Sequence, residues 1–228
     1  MSTRPEIRVT GVELYFLPVQ TRVPLKFGTE ILTSVTCARA RVSVEDGAGR
    51  PACGWGETPL SVQWVWPSRA PYEGRHAALR EFCVSLARAW GNADLRGHAL
   101  EVGWDFQEHV LPCVLREANT VQGAGLEPIP RLAALLCCSV FDQALHDAYG
   151  RAVGRPVYTT YSADYLRRDL KAYLASAPGS GVSFQGRYPA HYLTARPPGV
   201  LDAWHLVGGA DPIEAGDLTG SEPNDGYP

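Results

Sequence analysis

Apolar and polar residues alternate in two stretches near the amino terminus, which is the period of a half-buried β-strand. The first stretch breaks its rhythm at Gly11, which predicts a bulge there. Its apolar members are Ile7, Val9, Val12, Leu14 and Phe16. The second stretch is more regular, with apolar members at Ala38, Ala40, Val42 and Val44. A turn at residues 46–49 and a return strand at 53–57 then predict a three-stranded antiparallel meander.

Helical periodicity replaces this alternation after residue 71. One apolar stripe with 3.6-residue spacing predicts a helix that ends near Gly91 and Asn92. The stripe consists of Leu79, Phe82, Cys83, Leu86 and Trp90. A second helix is predicted over residues 102–118, where Pro112 should kink or divide it. Residues 122–130 are rich in glycine and are predicted to form a loop.

The strongest helical pattern covers residues 131–149, with Gly150 expected as its carboxy-terminal cap. Its stripe of small side chains would allow close approach of another element. The stripe consists of Ala133, Cys137, Val140, Ala144 and Ala148. Strands followed by a helical bundle predict an α+β domain over residues 1–155.

The remaining residues, 156–228, have a different character. Residues 161–174 are compatible with one more helix, and residues 177–199 are rich in Gly, Pro, Ser and Tyr. Residues 204–207 are a short strand candidate. We therefore expect a linker or insertion after the α+β domain.

The composition of the chain argues against some classes of binding partner. The chain has 228 residues, 45% of them hydrophobic, and a formal net charge of -3, so it lacks the basic excess that a nucleic-acid phosphate backbone requires. No apolar run approaches the ~20 residues of a membrane-spanning helix. The amino terminus lacks the apolar core of a secretory signal, which leads to an expected cytoplasmic location. The six cysteines show no C-x-x-C pair and are expected to be reduced.

Familiar catalytic and metal motifs are missing from the sequence. No H-x-x-x-H, Walker or G-x-S-x-G pattern occurs, so zinc, nucleotide and hydrolase functions lack support. His146 and Asp147 are adjacent, but neighbouring residues of one helix point about 100° apart and should not form an acid-base pair. We therefore expect no catalytic residue and no metal ligand in this chain.

Four short motifs, in order along the chain, carry a resemblance to a known family. They are RVPLKFG at residues 22–28, GWGETPL at 54–60, ALHDAYG at 144–150 and GRPVY at 154–158. Together they resemble the amino-terminal half of the enolase superfamily, most closely its mandelate racemase and muconate lactonizing enzyme branch. The likeness runs from about Arg8 to Tyr158. It implies a capping domain at residues 1–155 and, within 156–228, a truncated start of a (β/α) barrel.

The resemblance also implies a chemistry, because enzymes of this family abstract a proton next to a carboxylate and use Mg²⁺ to stabilise the enediolate. The lysine and carboxylate motifs that do this lie on the barrel. The only lysines here are Lys26 and Lys171, and neither lies in such a motif. A barrel needs roughly 200 to 250 residues, far more than residues 156–228 supply. Mg²⁺ is thus implied for a complete enzyme only, and the chain alone is expected to be inactive.

The resemblance implies a lid in this chain. The lid consists of two loops, residues 21–32 and 57–66, that would close over a small carboxylate substrate. The implied substrate-binding positions are Lys26, Phe27, Gly28, Glu57, Trp64 and Trp66. Each has a structural alternative. A surface lysine is often only solvated, Glu57 could serve a turn, and Gly28 could be needed for backbone freedom. Trp64 and Trp66 would share one face of an extended segment, in the core or at a domain interface.

Two other functions stay open at this stage. The chain could be a non-catalytic binding module that uses Trp55, Trp64 and Trp66 to hold a protein or a sugar. It could instead be one subunit of a split enzyme whose barrel is a separate chain. A homo-oligomer is also compatible with the sequence. An acid sugar, an acyl amino acid, a dipeptide and a muconate-like lactone are all compatible substrates.

Overall fold

A four-stranded antiparallel sheet forms the first layer of the molecule. The computed structural model describes residues 4–27, 30–121, 127–194, 198–204, 207–208 and 211–224, with the backbone only at residues 27 and 30. Strands β1 (Ile7–Phe27), β2 (Glu30–Asp46) and β3 (Pro51–Pro59) make the predicted meander. The two-residue strand β4 (Arg96–Gly97) pairs with the start of β1, which gives the order β3-β2-β1-β4. Two residues are too few to show any alternation, so β4 was not predicted.

The local features of the meander follow the sequence. The register of β1 against β2 shifts between Val9 and Gly11, which confirms the predicted bulge. At the β2–β3 turn the Asp46 carboxylate accepts hydrogen bonds from the backbone N–H groups of Ala48 and Arg50, both at 2.9 Å. The predicted apolar positions of β2 are all buried, and they face the helices: Ala38, Ala40, Val42 and Val44.

The helices form the second layer. They are α1 (Val62–Val65), α2 (Tyr72–Asn92), α3 (Ala99–Asp105), α4 (Leu111–Val121) and α5 (Arg131–Val153). The whole apolar stripe predicted on α2 is buried. The region predicted to be divided at Pro112 consists of α3 and α4 joined by a π-helical turn, Phe106–Val110, which ends just before that proline. Trp90 of α2 stacks on Phe106 with ring centroids 3.7 Å apart, so this turn lies in the core.

Helix α5 lies directly against the sheet. Its five predicted small residues are fully buried. A Cβ atom at Gly54 would lie 2.8 Å from the Cα of Ala148, and one at Gly56 would lie 2.7 Å from the backbone nitrogen of Ala144. Glycine is therefore required at both positions of β3 because the helix backbone passes where a side chain would start.

The end of α5 differs from the prediction. Gly150 is not the cap but a buried residue inside the helix, and the helix continues to Val153. Gly154 adopts the left-handed conformation, with φ of 65°, and its N–H donates to the carbonyls of Arg151 and Gly150. Position 150 requires a small residue for a different reason, since a Cβ atom there would lie 3.0 Å from the carbonyl oxygen of Arg155.

Beyond Gly154 the described residues contain turns rather than long elements. The helix expected at 161–174 is wrong: these residues form turns and irregular backbone with one short 3₁₀ turn, Leu170–Ala172, and another 3₁₀ turn, Val157–Thr160, precedes them. Ser162 and Asp169 explain this, because their side chains accept hydrogen bonds from N–H groups two residues on and compete with a helix. The middle of the strand expected at 204–207 lies outside the described residues. Its described ends, Trp204 and Val207, are not in a strand and are exposed.

All six cysteines are free thiols. In the described part of the chain, no helix combines the length and the apolar character needed to cross a membrane. The described residues likewise form no closed barrel, since their strands make a single open sheet.

Candidate functional site

Strands β1 and β2 continue beyond the rest of the sheet as a two-stranded ribbon. Strand β3 ends at Pro59, opposite Cys37, so the part of β2 before Cys37 pairs with β1 alone. We call residues 19–27 and 30–35 the ribbon. It contains most of the first predicted lid loop, residues 21–32, and the described part of that segment is strand. The β-branched residues Val23 and Ile31 favour a strand conformation here.

The ribbon is interrupted by a wide bulge. Pairing passes directly from Gln20 opposite Ser34 to Leu25 opposite Leu32, so residues 21–24 lie across from Thr33 alone. Pro24 has no N–H to donate to a ladder, which is one reason for the break. Thr21 partly closes the gap, because its hydroxyl donates to the carbonyl of Leu32 at 3.3 Å. The outer ladder, residues 25–27 with 30–32, is thereby separated from the rest.

The predicted lid residues of the first loop lie on this outer ladder or beside it. Lys26 is opposite Ile31 and is exposed. The backbone of Phe27 is opposite Glu30. Gly28 lies outside the described residues.

The second predicted lid segment, residues 57–66, begins in β3 and ends in α1. Glu57 is opposite Arg39, and its Oε2 accepts from the Arg39 Nε at 2.6 Å on the outer face of the sheet. Trp64 is 62% exposed, whereas Trp66 is only 2% exposed. The assumed extended geometry is therefore wrong, because a helical turn sends the two indoles in different directions. Trp66 lies in the core, and its carbonyl accepts from Arg75 Nη1 at 2.5 Å.

The second lid segment contacts the base of the ribbon at Thr36, a residue that the sequence did not single out. Its carbonyl accepts from the N–H of Leu60 at 2.8 Å, and its hydroxyl lies 2.9 Å from Nε2 of His76 on α2. The His76 ring stacks on Tyr72, with centroids 5.6 Å apart. Burial, with a smaller effect of Arg80, lowers the pKa of His76. Thr36 thus joins the base of the ribbon, the segment after β3 and the helical layer.

The outer edge of β3 is occupied by side chains of α5. The N–H of Trp55 donates to Asp147 Oδ2 at 2.9 Å, and the N–H of Glu57 lies 3.4 Å from Gln143 Oε1. His146, next in sequence to Asp147, instead lies 3.2 Å from the Tyr161 hydroxyl through Nδ1. The two side chains have separate partners, as expected for neighbours on one helix.

A buried polar cluster lies on the opposite side of α5, and no sequence motif marked it. His98 is 1% exposed, its Nδ1 accepts from the N–H of Leu100, and its Nε2 lies 2.9 Å from the Thr160 hydroxyl. Burial, with a smaller contribution from His146, lowers the pKa of His98 to about 3. Burial raises the pKa of Asp142, and it lowers that of His146. Both histidines are thus held neutral.

Within the described ranges, no three His, Cys, Asp or Glu side chains come together in a way that could hold a metal ion. Glu57 is in an ion pair with Arg39. The described residues therefore do not fit a magnesium site, which the family resemblance places on the barrel of a complete enzyme.

No family model matches the sequence, and no curated protein matches it. Solved structures do match. An enolase from Bradyrhizobium, complexed with magnesium and mandelic acid, is 16% identical with a TM-score of 0.41, over 70% of this chain and 35% of that one. A mandelate racemase/muconate lactonizing enzyme-like protein from Rubrobacter xylanophilus is 21% identical with a TM-score of 0.36, over 67% and 33%. A dipeptide epimerase from Enterococcus faecalis V583 is 13% identical with a TM-score of 0.39, over 68% and 35%.

In each case the match spans about a third of the length of the solved structure. The solved structures that this chain resembles are thus an enolase, a mandelate racemase/muconate lactonizing enzyme-like protein and a dipeptide epimerase, and the chain resembles one part of each.

Proposed function

We propose that this chain is the capping part of an enolase-superfamily enzyme that depends on Mg²⁺ and abstracts a proton next to a carboxylate, as a racemase, cycloisomerase or dehydratase. The order of the four sequence motifs supports the family. The main support for the capping role is the contact at Thr36. The ribbon and the segment after β3 extend from the same end of the sheet, and there the Thr36 carbonyl accepts from the N–H of Leu60.

The ribbon has the physical properties of a lid. A two-stranded hairpin is at best marginally stable alone in water, so one that extends past its sheet gains from a surface to cover. The mouth of a barrel would be that surface. Closing it would exclude water and strengthen charge interactions inside.

Within this proposal, Lys26 on the outer ladder would meet the substrate carboxylate, and Trp64 would offer an exposed indole as a wall. Phe27 and Gly28, which follow Lys26 in the sequence, are proposed to contribute to the same substrate contact. Glu57, bound to Arg39, would hold the strand end in place, and Trp66 would support the segment from within the core.

Proton abstraction is not assigned to any residue of this chain. In the complete enzyme the bound Mg²⁺ would supply charge stabilisation of the enediolate, and the base would come from the barrel. The chain's own part is to bind and orient the substrate and to exclude water.

The first test is to sequence the coding DNA through and beyond the codon for Pro228. A continuing frame with a Lys-x-Lys motif and three spaced carboxylates would support the proposal. A stop codon, together with the absence of any copurifying barrel chain, would contradict it and leave the binding-module function.

With the complete enzyme in hand, Lys26→Ala tests the lid. Loss of one charge contact to a carboxylate should raise KM about tenfold, a cost of ~1.4 kcal/mol, with a smaller change in kcat. Lys26→Arg keeps the charge and is the matched control. Equal kinetics for all three proteins would show that Lys26 is only solvated.

A further inference from the structure

The polypeptide after α5 returns to the cap and binds to it through a buried carboxylate. We call residues 156–174 the strap. Glu101 of α3 is only 3% exposed, and its Oε1 accepts from the backbone N–H groups of Arg167 at 2.7 Å and Arg168 at 2.8 Å. A buried carboxylate is costly unless it is fully hydrogen-bonded, so these two strap N–H groups are part of what stabilises it.

The Arg168 side chain completes the attachment. Its guanidinium donates to both carboxylate oxygens of Asp105, at 2.7 and 2.9 Å, and to the carbonyl of Glu101 at 3.0 Å. The hydrogen bond with Asp105 is the main cause of the raised pKa of Arg168. The ring of Tyr173 lies 5.6 Å from the guanidinium carbon. This forked geometry fixes an orientation as well as a distance, which a lysine could not do.

Further contacts hold the first part of the strap. Thr160 is fully buried against His98, and Leu166 has no exposed surface. Arg4 Nε donates to the carbonyl of Ala163 at 2.9 Å, whereas the pair of Arg167 with Glu6 is largely exposed and adds little. The strap therefore contacts α3, α5 and the residues before β1.

We propose that Glu101 and Arg168 are the positioning pair that fixes where and in which direction the chain leaves the cap. This rests on the proposed capping function and deepens it, because a lid can close over a site only if the domain that follows starts at a defined place. The folded unit then reaches at least Leu174, and the domain boundary lies after the strap rather than at residue 155.

Hydrogen exchange of this chain, read by mass spectrometry, tests the attachment. Arg168→Met keeps the length of the side chain and removes the fork, and it should speed exchange in residues 157–174 by about tenfold or more. Exchange in β1, β2, β3 and α5 should stay unchanged. Arg167→Met is the matched control, because its pair with Glu6 is exposed and should matter little.

Substitutions of Glu101 give a second, independent comparison. Glu101→Gln retains an oxygen that accepts from both strap N–H groups and should largely preserve protection, whereas Glu101→Leu should lose it. Unchanged exchange in Arg168→Met, or an equal effect of Arg167→Met, would overturn the proposal. So would accelerated exchange throughout the sheet, which would make Arg168 an ordinary core residue.

The exit direction is measured by electron spin resonance in a Cys53→Ser background. Spin labels at the exposed Cys113 and at Ser176→Cys should give a narrow distance distribution, which Arg168→Met should broaden. A distribution already broad with Arg168 present would overturn the positioning role. The capping function would be unaffected by that result, since its tests concern the coding frame and Lys26.

Discussion

At the scale of single residues, the two glycines of β3 determine how close the helical layer can come. Gly54 and Gly56 face backbone atoms of α5, which cannot move aside as the end of a flexible side chain can. A methyl group at either position must push strand and helix apart or distort both. The small residues of α5 and the glycines of β3 therefore act as one surface.

We predict that Gly56→Ala destabilises the fold by about 1–3 kcal/mol, the usual cost of overpacking. Urea denaturation monitored by circular dichroism would measure the change. Gly91→Ala is the control, because nothing lies within 4 Å of a Cβ there and alanine favours its helix. A Gly56→Ala protein as stable as Gly91→Ala would mean that α5 does not approach β3 this closely.

At the scale of elements, α5 satisfies the edge of the sheet with its own side chains. Asp147 accepts from Trp55, and it also forms an ion pair with Arg151 one turn later. One helix thus contributes buried small residues on one face and hydrogen-bond acceptors beside it. The orientation of β3, and with it the start of the segment after β3, depends on both.

Asp147→Leu should therefore expose the Trp55 amide and speed its hydrogen exchange, with a loss of about 1 kcal/mol or more of stability. Asp147→Asn keeps an acceptor oxygen and should behave nearly like the original protein, although it loses the pair with Arg151. The Trp55 amide can be followed by NMR. Equal exchange in the leucine and asparagine variants would show that the contact does not protect the strand.

The elements that the sequence predicted are those whose pattern is local. The period-2 alternation of β2 and the helical stripes of α2 and α5 each depend on one face meeting one core, so spacing alone reveals them. Gly150 was misassigned as a cap because a glycine can be required by a turn or by a close neighbour, and only the fold shows Arg155 beside it. Residues 161–174 failed as a helix because Ser162 and Asp169 bind the backbone instead.

The candidate site was predicted less completely for a related reason. Lys26 and Trp64 are exposed, as a lid requires, but Trp66 is in the core because one turn of helix redirected it. Three further residues bond to segments that are 24 to 67 positions away in the sequence, and a local pattern cannot predict such contacts. They are Thr36, Glu101 and His98.

At the scale of the whole molecule, the buried histidines make stability depend on pH. The pKa of His98 is lowered from 6.5 to about 3, so below pH 6.5 the unfolded chain binds a proton that the folded protein does not. The stability that neutral His98 contributes is therefore complete above pH 6.5 and is lost as the pH falls towards 3. The slope is at most ~1.4 kcal/mol per pH unit for one such group. His146, with its lowered pKa, acts in the same sense, whereas the raised pKa of Asp142 acts in the opposite one.

We predict that His98→Asn reduces this pH dependence. Asparagine can still cap α3 through its oxygen but cannot gain a proton, so the variant should be less stable at pH 7 and lose less stability by pH 4. Urea denaturation at pH 7, 5.5 and 4 would show the two stability curves converging. His109→Asn, at an exposed position, is the control for the substitution itself. If the stability curves of His98→Asn and of the original protein stayed parallel as the pH falls, protonation of His98 would not destabilise the fold.

The prolines of β1 have a consequence for how the protein behaves in concentrated solution. Among the described residues, β1 pairs on its outer side with β4 only, at Ile7 and Arg8, so most of a 21-residue strand borders no other strand there. An open edge of that length is a template on which further chains can add and aggregate. Pro18 and Pro24 cannot donate to an added strand, and the bulge at residues 21–24 breaks its register. The bulge that interrupts the ribbon thus also hinders the addition of further strands to this edge and the growth of fibrils.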